Sequence, residues 1–404
     1  NPRTAINCNG KSLNRHIVVD LIRFSTEQVS RVQIARQMEL SRAAITAIVD
    51  DLLKSGIVRE TEARYPAGRK PIGLEINPNR GRVIGVDLGA SHLEVILADF
   101  AGRLIAEKEI AYKPENGPED CLDRIEEITR TLITESGFET KDVYALGMGV
   151  PGPVTSEKGQ VTNPPILPGW DGFPLTAELT RRTGWPATLN NDAELGALGE
   201  WAFGAGRREN NLVYIKVGTG VGSGLLLNGQ LYGGVAGSAG EIGHITLVEN
   251  GPLCVCGNRG CLEVYASGRA IAQRADQAVR QGMSTVLSDI KNSSISAKDV
   301  LSAARFGDRL AQQIIYEAGS HLGVAVANIV NLLNPNMVVL GGGVSQIGDL
   351  FLEPIRTAVE RRSLRVVSKG VRITSALLGR RSSAIGAVVQ ALTLALHNLL
   401  EVVK

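Results

Sequence analysis

Sulfur is scarce in this 404-residue chain, which holds five cysteines and four methionines. So few thiols exclude the disulfide framework of a small secreted scaffold. Long apolar runs are missing as well. None reaches the roughly 18 residues of a membrane span, and the opening NPRTAINCNGKSLNRHIVVD has no apolar block of the secretory kind. A cytoplasmic protein with no membrane partner is therefore expected. Nor does one sign of charge dominate, since 43 Lys and Arg stand against 41 Asp and Glu for a net +2.

What the chain does contain is unevenly placed. Residues 1–80 carry 13 Lys and Arg against 8 Asp and Glu, a net +5, so the remainder is slightly acidic at −3. A basic front on an acidic body points to a front that meets a polyanion. Three of the five cysteines, Cys254, Cys256 and Cys261, fall within eight positions of one another. Such a cluster in a chain without a disulfide framework suits metal or redox chemistry. The length implies two or three domains, and an apolar share of 44% can bury them.

The front reads as helices. Leu13, Ile17, Val18, Leu21, Ile22 and Phe24 recur at helical spacing over residues 12–24. A short helix over Val32–Met38 follows, then a break at Glu39 and Leu40, then a longer helix that Ser41 is suited to cap. In that last helix Ile45, Ile48, Val49, Leu52 and Leu53 form an apolar stripe, which leaves Arg42, Ala43, Thr46, Ala47 and Asp50 opposite it. Helix, short break, helix is a DNA-reading arrangement, with the first turns of the second helix in the major groove. Ser41, Arg42, Ala43 and Thr46 are the candidate contacts. The weakly alternating IVRETEARYPAGRKPIGLEINP then predicts a two-stranded wing whose basic tip, Arg69 and Lys70, meets phosphate or a minor groove.

From Val83 onward apolar runs end in glycine-rich loops and alternate with helical stretches, the texture of α/β layering. VDLGAS, GMGVPGPV, VGTGVGSG and LGGGVS each place small residues at a strand end, where backbone amides can approach a ligand. Together with NNDAELGALGE, GEIGH, CVCGNRGCLE and RRSSAIGAVVQA, in this order and over nearly the whole chain, these motifs resemble the ROK family of repressors, open reading frames and sugar kinases. The resemblance implies an α/β fold of the actin and hexokinase type. A winged helix domain at 1–80 would precede a first lobe at 82–202 plus 386–404 and a second at 203–385 that carries the zinc loop and a dimerisation surface.

Under that resemblance the cysteine cluster becomes a structural zinc site of His244, Cys254, Cys256 and Cys261. The family's sugar contacts fall on Gly152, Asn163, Asn191, Asp192, Glu241, His244 and Glu263. Asp192 would be the general base if the chain were a kinase. Nucleotide-type loops fall at Asp87 and Gly89, at Gly218, Thr219 and Gly220, and at Gly341 and Gly342. Family kinases have glycine, threonine and usually lysine where this chain has Ala90, Ser91 and His92, so ATP is not expected as a cofactor. The expected protein is a regulator that binds double-stranded operator DNA and a small sugar or sugar phosphate, working as a homodimer or tetramer. A sugar kinase with an added front domain is the alternative.

Overall fold

Helices α1 (Gly10–Arg23), α2 (Arg31–Met38) and α3 (Arg42–Lys54) lead the chain. The computed structural model describes residues 10–402 except 26, 62–71, 163, 165–166 and 291–293. Ser30 opens α2 with a reciprocal cap: its hydroxyl accepts from Gln33 N, and Gln33 Oε1 accepts from Ser30 N at 2.8 Å. Glu39 closes α2 in the left-handed region at φ 54°. Ser41 then caps α3, accepting from Ala44 N at 3.2 Å. α1 and α2 both pack on α3, whose Ile45, Val49 and Leu52 are buried. Arg31 ties Asp50 of α3 to Glu60, at 3.3 and 2.7 Å, and Arg15 pairs with Asp51 at 2.8 Å. Strands β1 (Val58–Thr61) and β2 (Gly73–Ile76) form an antiparallel pair. The residues joining them, Arg69 and Lys70 among them, lie outside the described part.

The body holds two five-stranded sheets. β3 (Arg82–Leu88), β4 (His92–Asp99) and β5 (Leu104–Ala111) run antiparallel, and with β6 (Val143–Val150) and β9 (Ala187–Asn191) give the order β5-β4-β3-β6-β9. β7 (Val154–Thr155) and β8 (Gln160–Val161) make a separate short pair. β10 (Leu212–Val217), β11 (Val221–Leu227), β12 (Gln230–Leu231), β13 (Met337–Gly341) and β14 (Arg372–Ser375) form the second sheet, in the order β12-β11-β10-β13-β14. Its β10, β13 and β14 are parallel. β10 and β13 are apolar runs broken only by Lys216, as strands covered on both faces must be, whereas β14, RITS, is an edge strand with Arg372 exposed.

By packing, the chain divides into two units: Asn1–Met148, Pro174–Leu189 and Ala387–Lys404 in one, Gly149–Phe173 and Asn190–Gly386 in the other. The lobe boundaries expected from the sequence at 202 and 386 fall instead within two helices, Asp192–Phe203 and Ser382–Val402. Residues 190–202 group with the second sheet because helix α6 (Asp192–Phe203) lies directly on β10 and β11.

α6 is buried from Ala193 to Glu200 without a break, so it has no solvent face and its neighbours come very close. A Cβ on Gly196 would sit 2.2 Å from the Tyr214 ring, and one on Gly199 would sit 2.2 Å from Ser382 O. One on Gly386 would come within 1.8 Å of Leu195 O. The buried Glu200 carboxylate anchors the far end of the helix, accepting from Ala205 N, Leu377 N, Leu378 N and Ser382 Oγ at 2.8–3.1 Å.

The last helix carries the one apolar stretch, Gly379–Glu401, that is long enough to cross a membrane by length and composition, among the described residues. This corrects the sequence expectation that no such stretch exists. Two-thirds of it, 67%, is buried inside the protein, so it is a core helix. Labelled by its place in chain order it is α14 (Ser382–Val402), after α4 (Pro118–Glu135), α5 (Leu175–Thr183), α7 (Glu263–Ala266), α8 (Gly268–Arg280), α9 (Ala297–Arg305), α10 (Arg309–Leu333), α11 (Gly342–Ser345), α12 (Asp349–Arg362) and α13 (Arg365–Ser368). α1 docks on α14. The buried Arg23 donates to Val389 O at 2.7 Å and to Thr393 Oγ1 at 3.0 Å.

Because no flexible atom can yield to a new methyl at the Leu195 carbonyl, Gly386→Ala should cost about 1–3 kcal/mol of stability. Chemical denaturation of the variant beside the parent chain measures it.

Candidate functional site

Within the second unit the N-terminus of α6 gathers most of the residues singled out in the sequence as sugar contacts. Asn191 is its cap, accepting from Ala193 N and Glu194 N at 2.8 and 3.2 Å, while its Nδ2 donates to Gly152 O at 3.0 Å. The amide is thus fixed on both sides. Gly152 itself is at φ +97°, a left-handed turn that glycine adopts without strain. Asn163 lies outside the described residues.

Asp192, next along, is not open to solvent on its own. Lys216 of β10 donates from Nζ to Asp192 Oδ2 at 2.9 Å and to Ser383 Oγ at 3.1 Å, and Ser383 Oγ donates back to Asp192 O at 2.7 Å. Both side chains of the ion pair are about 15% exposed. The sequence reading missed Lys216, although one basic residue inside the apolar run LVYIKV was the available signal. It also missed Glu194, buried in the first turn of α6 beside Asp192. Burial pushes the Glu194 carboxyl up to about 7, and the negative charge of Glu241 adds to this against a hydrogen bond with Asn190. Its Oε1 has no hydrogen-bond partner among the described residues.

Glu241, His244 and Glu263 complete the group. Burial raises the Glu241 pKa, His244 opposes the shift, and Asp192 and Glu263 add to it. The three carboxylates therefore share one electrostatic environment. Glu263 Oε2 accepts from Val221 N at 3.0 Å and occupies the space where a Cβ on Gly220 would fall, 2.5 Å away. Gly220 of the VGTGVGSG loop thus packs against the Glu263 carboxylate. Thr219 and Gly218 stand in the same loop, where Gly218 O accepts from Gly268 N at 2.7 Å. Gly342 is left-handed, φ +82°, with its Cβ position 2.4 Å from Val217 O, and Gly341 packs on the Tyr214 hydroxyl. These loops, too, are shaped by their own packing.

The sulfur cluster adjoins this group through His244. His244 Nδ1 is 3.7 Å from Cys254 Sγ, and Cys256 Sγ is 3.7 Å from Cys261 Sγ. All four donor atoms lie within 4.8 Å of one another. The ring's other nitrogen, Nε2, faces Glu241 Oε2 at 3.9 Å. Burial pushes the Cys261 thiol up to about 12, so a thiolate there needs a neighbouring cation. Three sulfurs and one imidazole within this radius are a donor set that a metal fits.

In the first unit, Asp87 is fully buried and His92 Nε2 lies 3.4 Å from its Oδ2. The His92 ring covers Gly89 so closely that a Cβ there would be 2.1 Å from Cε1. On the front segment Ser41, Arg42, Ala43 and Thr46 are all exposed. Asp50 does not stand unopposed beside them, because Arg31 pairs with it.

Residues 83–393 match the model of the ROK family. Over 380 residues the chain is 32% identical to the xylose repressor of Caldicellulosiruptor bescii, which takes in 94% of this chain and 95% of that protein. The solved structure of a ROK family transcriptional regulator, a homologue of the E. coli MLC protein, superposes with a TM-score of 0.81 at 29% identity, over 97% of this chain and 98% of its own. A ROK family glucokinase from Streptomyces griseus, in complex with glucose and AMPPNP, superposes with a TM-score of 0.68 at 33% identity, over 77% of this chain and 99% of its own.

Two outcomes follow from the electrostatics. Lys216→Met leaves Asp192 without its counter-charge beside Glu241 and Glu263, and should cost up to about 3 kcal/mol. Denaturation of Lys216→Met with and without Asp192→Asn checks it, since the double variant should recover most of the loss. Glu194 holds a proton in the folded chain between its ordinary 4.5 and about 7, where the unfolded chain has lost it. Stability therefore falls as pH rises through that window, and so it does for Glu94, which burial also raises to about 7. Glu194→Gln should lessen the fall and gain about 1–3 kcal/mol at pH 8, measured as unfolding midpoints from pH 4.5 to 8.

Proposed function

The chain belongs to the ROK family, and we propose that it is a sugar-responsive transcriptional repressor whose front segment is a winged helix-turn-helix for operator DNA. One observation of extent carries this reading. The regulators match the whole chain, front helices included, whereas the glucokinase matches 77% of it and the family domain begins at residue 83.

The front segment has the chemistry for this role. Ala43 and Ala47 on the exposed start of α3 let the helix come close to base edges, while Arg42 and Thr46 reach bases or phosphate. Arg31 neutralises Asp50, which would otherwise repel the DNA backbone. Arg69 and Lys70, in the sequence between β1 and β2, add basic charge for phosphate. Two such modules, in a homodimer or tetramer in the cytoplasm, would read two half-sites.

The effector is a small sugar or sugar phosphate, held at the N-terminus of α6. Asp192, Glu241 and Glu263 accept hydrogen bonds from sugar hydroxyls, Asn191 and His244 Nε2 add polar contacts, and Gly152 lines the same place. Zinc held by His244, Cys254, Cys256 and Cys261 would draw the thiols into thiolate form and fix the tautomer of His244, so that Nε2 faces the ligand. Against a kinase stand the His92 ring over Gly89, which blocks close approach to that turn, and the ammonium of Lys216 on the oxygen of the would-be base.

Arg42→Ala should weaken operator binding about tenfold and leave sugar binding unchanged. Asp192→Asn and Glu241→Gln should bind operator normally and lose the response in a sugar panel that begins with xylose. Cys261→Ser should lose one metal equivalent and bind sugar less well. Mobility-shift assays, calorimetry and metal analysis read these. Sugar-dependent ADP release from ATP by the parent chain, abolished in Asp192→Asn, would establish the kinase instead.

A further inference from the structure

Where α1 meets α14, a second group of donors comes together that the functional reading leaves unused. His16 Nε2 lies 3.1 Å from His397 Nδ1, and Glu401 completes a set whose ligand atoms are all within 4.8 Å of one another. His397 and Glu401 are four residues apart on α14 and so share one of its faces. His16 comes from the other helix.

We propose that this cluster binds a divalent transition metal, of the zinc, nickel or cobalt class, that clips the first helix of the chain to the last. The spacing fits: two nitrogens on a tetrahedral zinc, each at about 2.0–2.1 Å, are about 3.4 Å apart. Two imidazoles with one carboxylate select such ions over magnesium or calcium. The supporting contacts are those a ligating histidine needs. His16 Nδ1 is 2.8 Å from Ser12 O, and since a carbonyl only accepts, Nδ1 carries the hydrogen and Nε2 keeps its lone pair. The Ser12 hydroxyl donates to Glu401 Oε1 at 2.7 Å and so aims that carboxylate. Without metal, His397 Nδ1–H donates to His16 Nε2. With metal, that hydrogen passes to His397 Nε2, both rings stay neutral, and two lone pairs face the ion. Glu401 is exposed, which leaves an entry path and room for a water as fourth ligand.

The site is independent of the sulfur cluster, and the experiment separates the two. The full-length parent chain, His397→Gln and Glu401→Gln are each stripped of metal, loaded with excess cobalt(II), dialysed and analysed. The parent should hold one equivalent more than His397→Gln. The thiolate-to-cobalt absorption of the sulfur cluster should be the same in both. Glu401→Gln, a change at an exposed side chain that should leave the fold intact, should weaken the extra equivalent at least tenfold by calorimetry. Zinc should slow amide exchange of α1 in the parent and not in either variant. Equal metal content in parent and His397→Gln, or an extra equivalent whose affinity is unchanged in Glu401→Gln, would overturn the proposal.

Discussion

Helix α6 admits no side chain at Gly196 and Gly199, and its neighbour α14 admits none at Gly386, because at each point a ring or a carbonyl already fills the space. At Gly199 and Gly386 backbone therefore rests on backbone, and at Gly196 it rests on the buried Tyr214 ring. The Glu200 carboxylate, with four donors on it, fixes one end of the same helix. The other end is the cap at Asn191, which sets out Asn191 and Asp192 for the site. A site aimed by a helix that cannot shift is preorganised, so its groups lose little freedom when a ligand arrives.

Charge is the second constraint. Asp192, Glu194, Glu241 and Glu263 would repel one another if all were ionised and dry. The protein meets this in three ways: Lys216 neutralises Asp192, Glu194 keeps its proton up to about pH 7, and Glu263 takes a backbone amide. His244 opposes the charge of Glu241 from the side of the sulfur cluster. The acceptor-rich surface that remains suits a ligand rich in hydroxyl donors.

Local chemistry was legible in the sequence and long-range chemistry was not. Ser41 could be read as a cap because a cap involves only residues three or four positions away, and the structure has it accepting from Ala44 N. His244 and the three cysteines could be grouped because they lie within 18 positions. By contrast Lys216 meets Asp192 and Ser383 only after β10, α6 and α14 are assembled, and the 381 positions between His16 and His397 hide that pair from any motif. The change at Ala90, Ser91 and His92 was visible as a departure from kinases. That the His92 ring folds back over Gly89 required the β3–β4 turn itself. The mixed α/β body of ROK type was readable from its loops, whereas the placement of α6 depends on burial around its whole circumference, which periodicity does not report.

The docking of α1 on α14 has a consequence for how the molecule is made. Arg23 and Thr393 are 370 residues apart, and Ser12 and Glu401 are 389 apart. On a ribosome that adds about 5–20 residues per second, α1 waits on the order of 20–80 s for its partner to be synthesised. During that interval Arg23 has water in place of the Val389 carbonyl, and the front helices are tethered to the growing chain without their final seat. A nascent chain that stops short of α14 would thus emerge with α1 undocked.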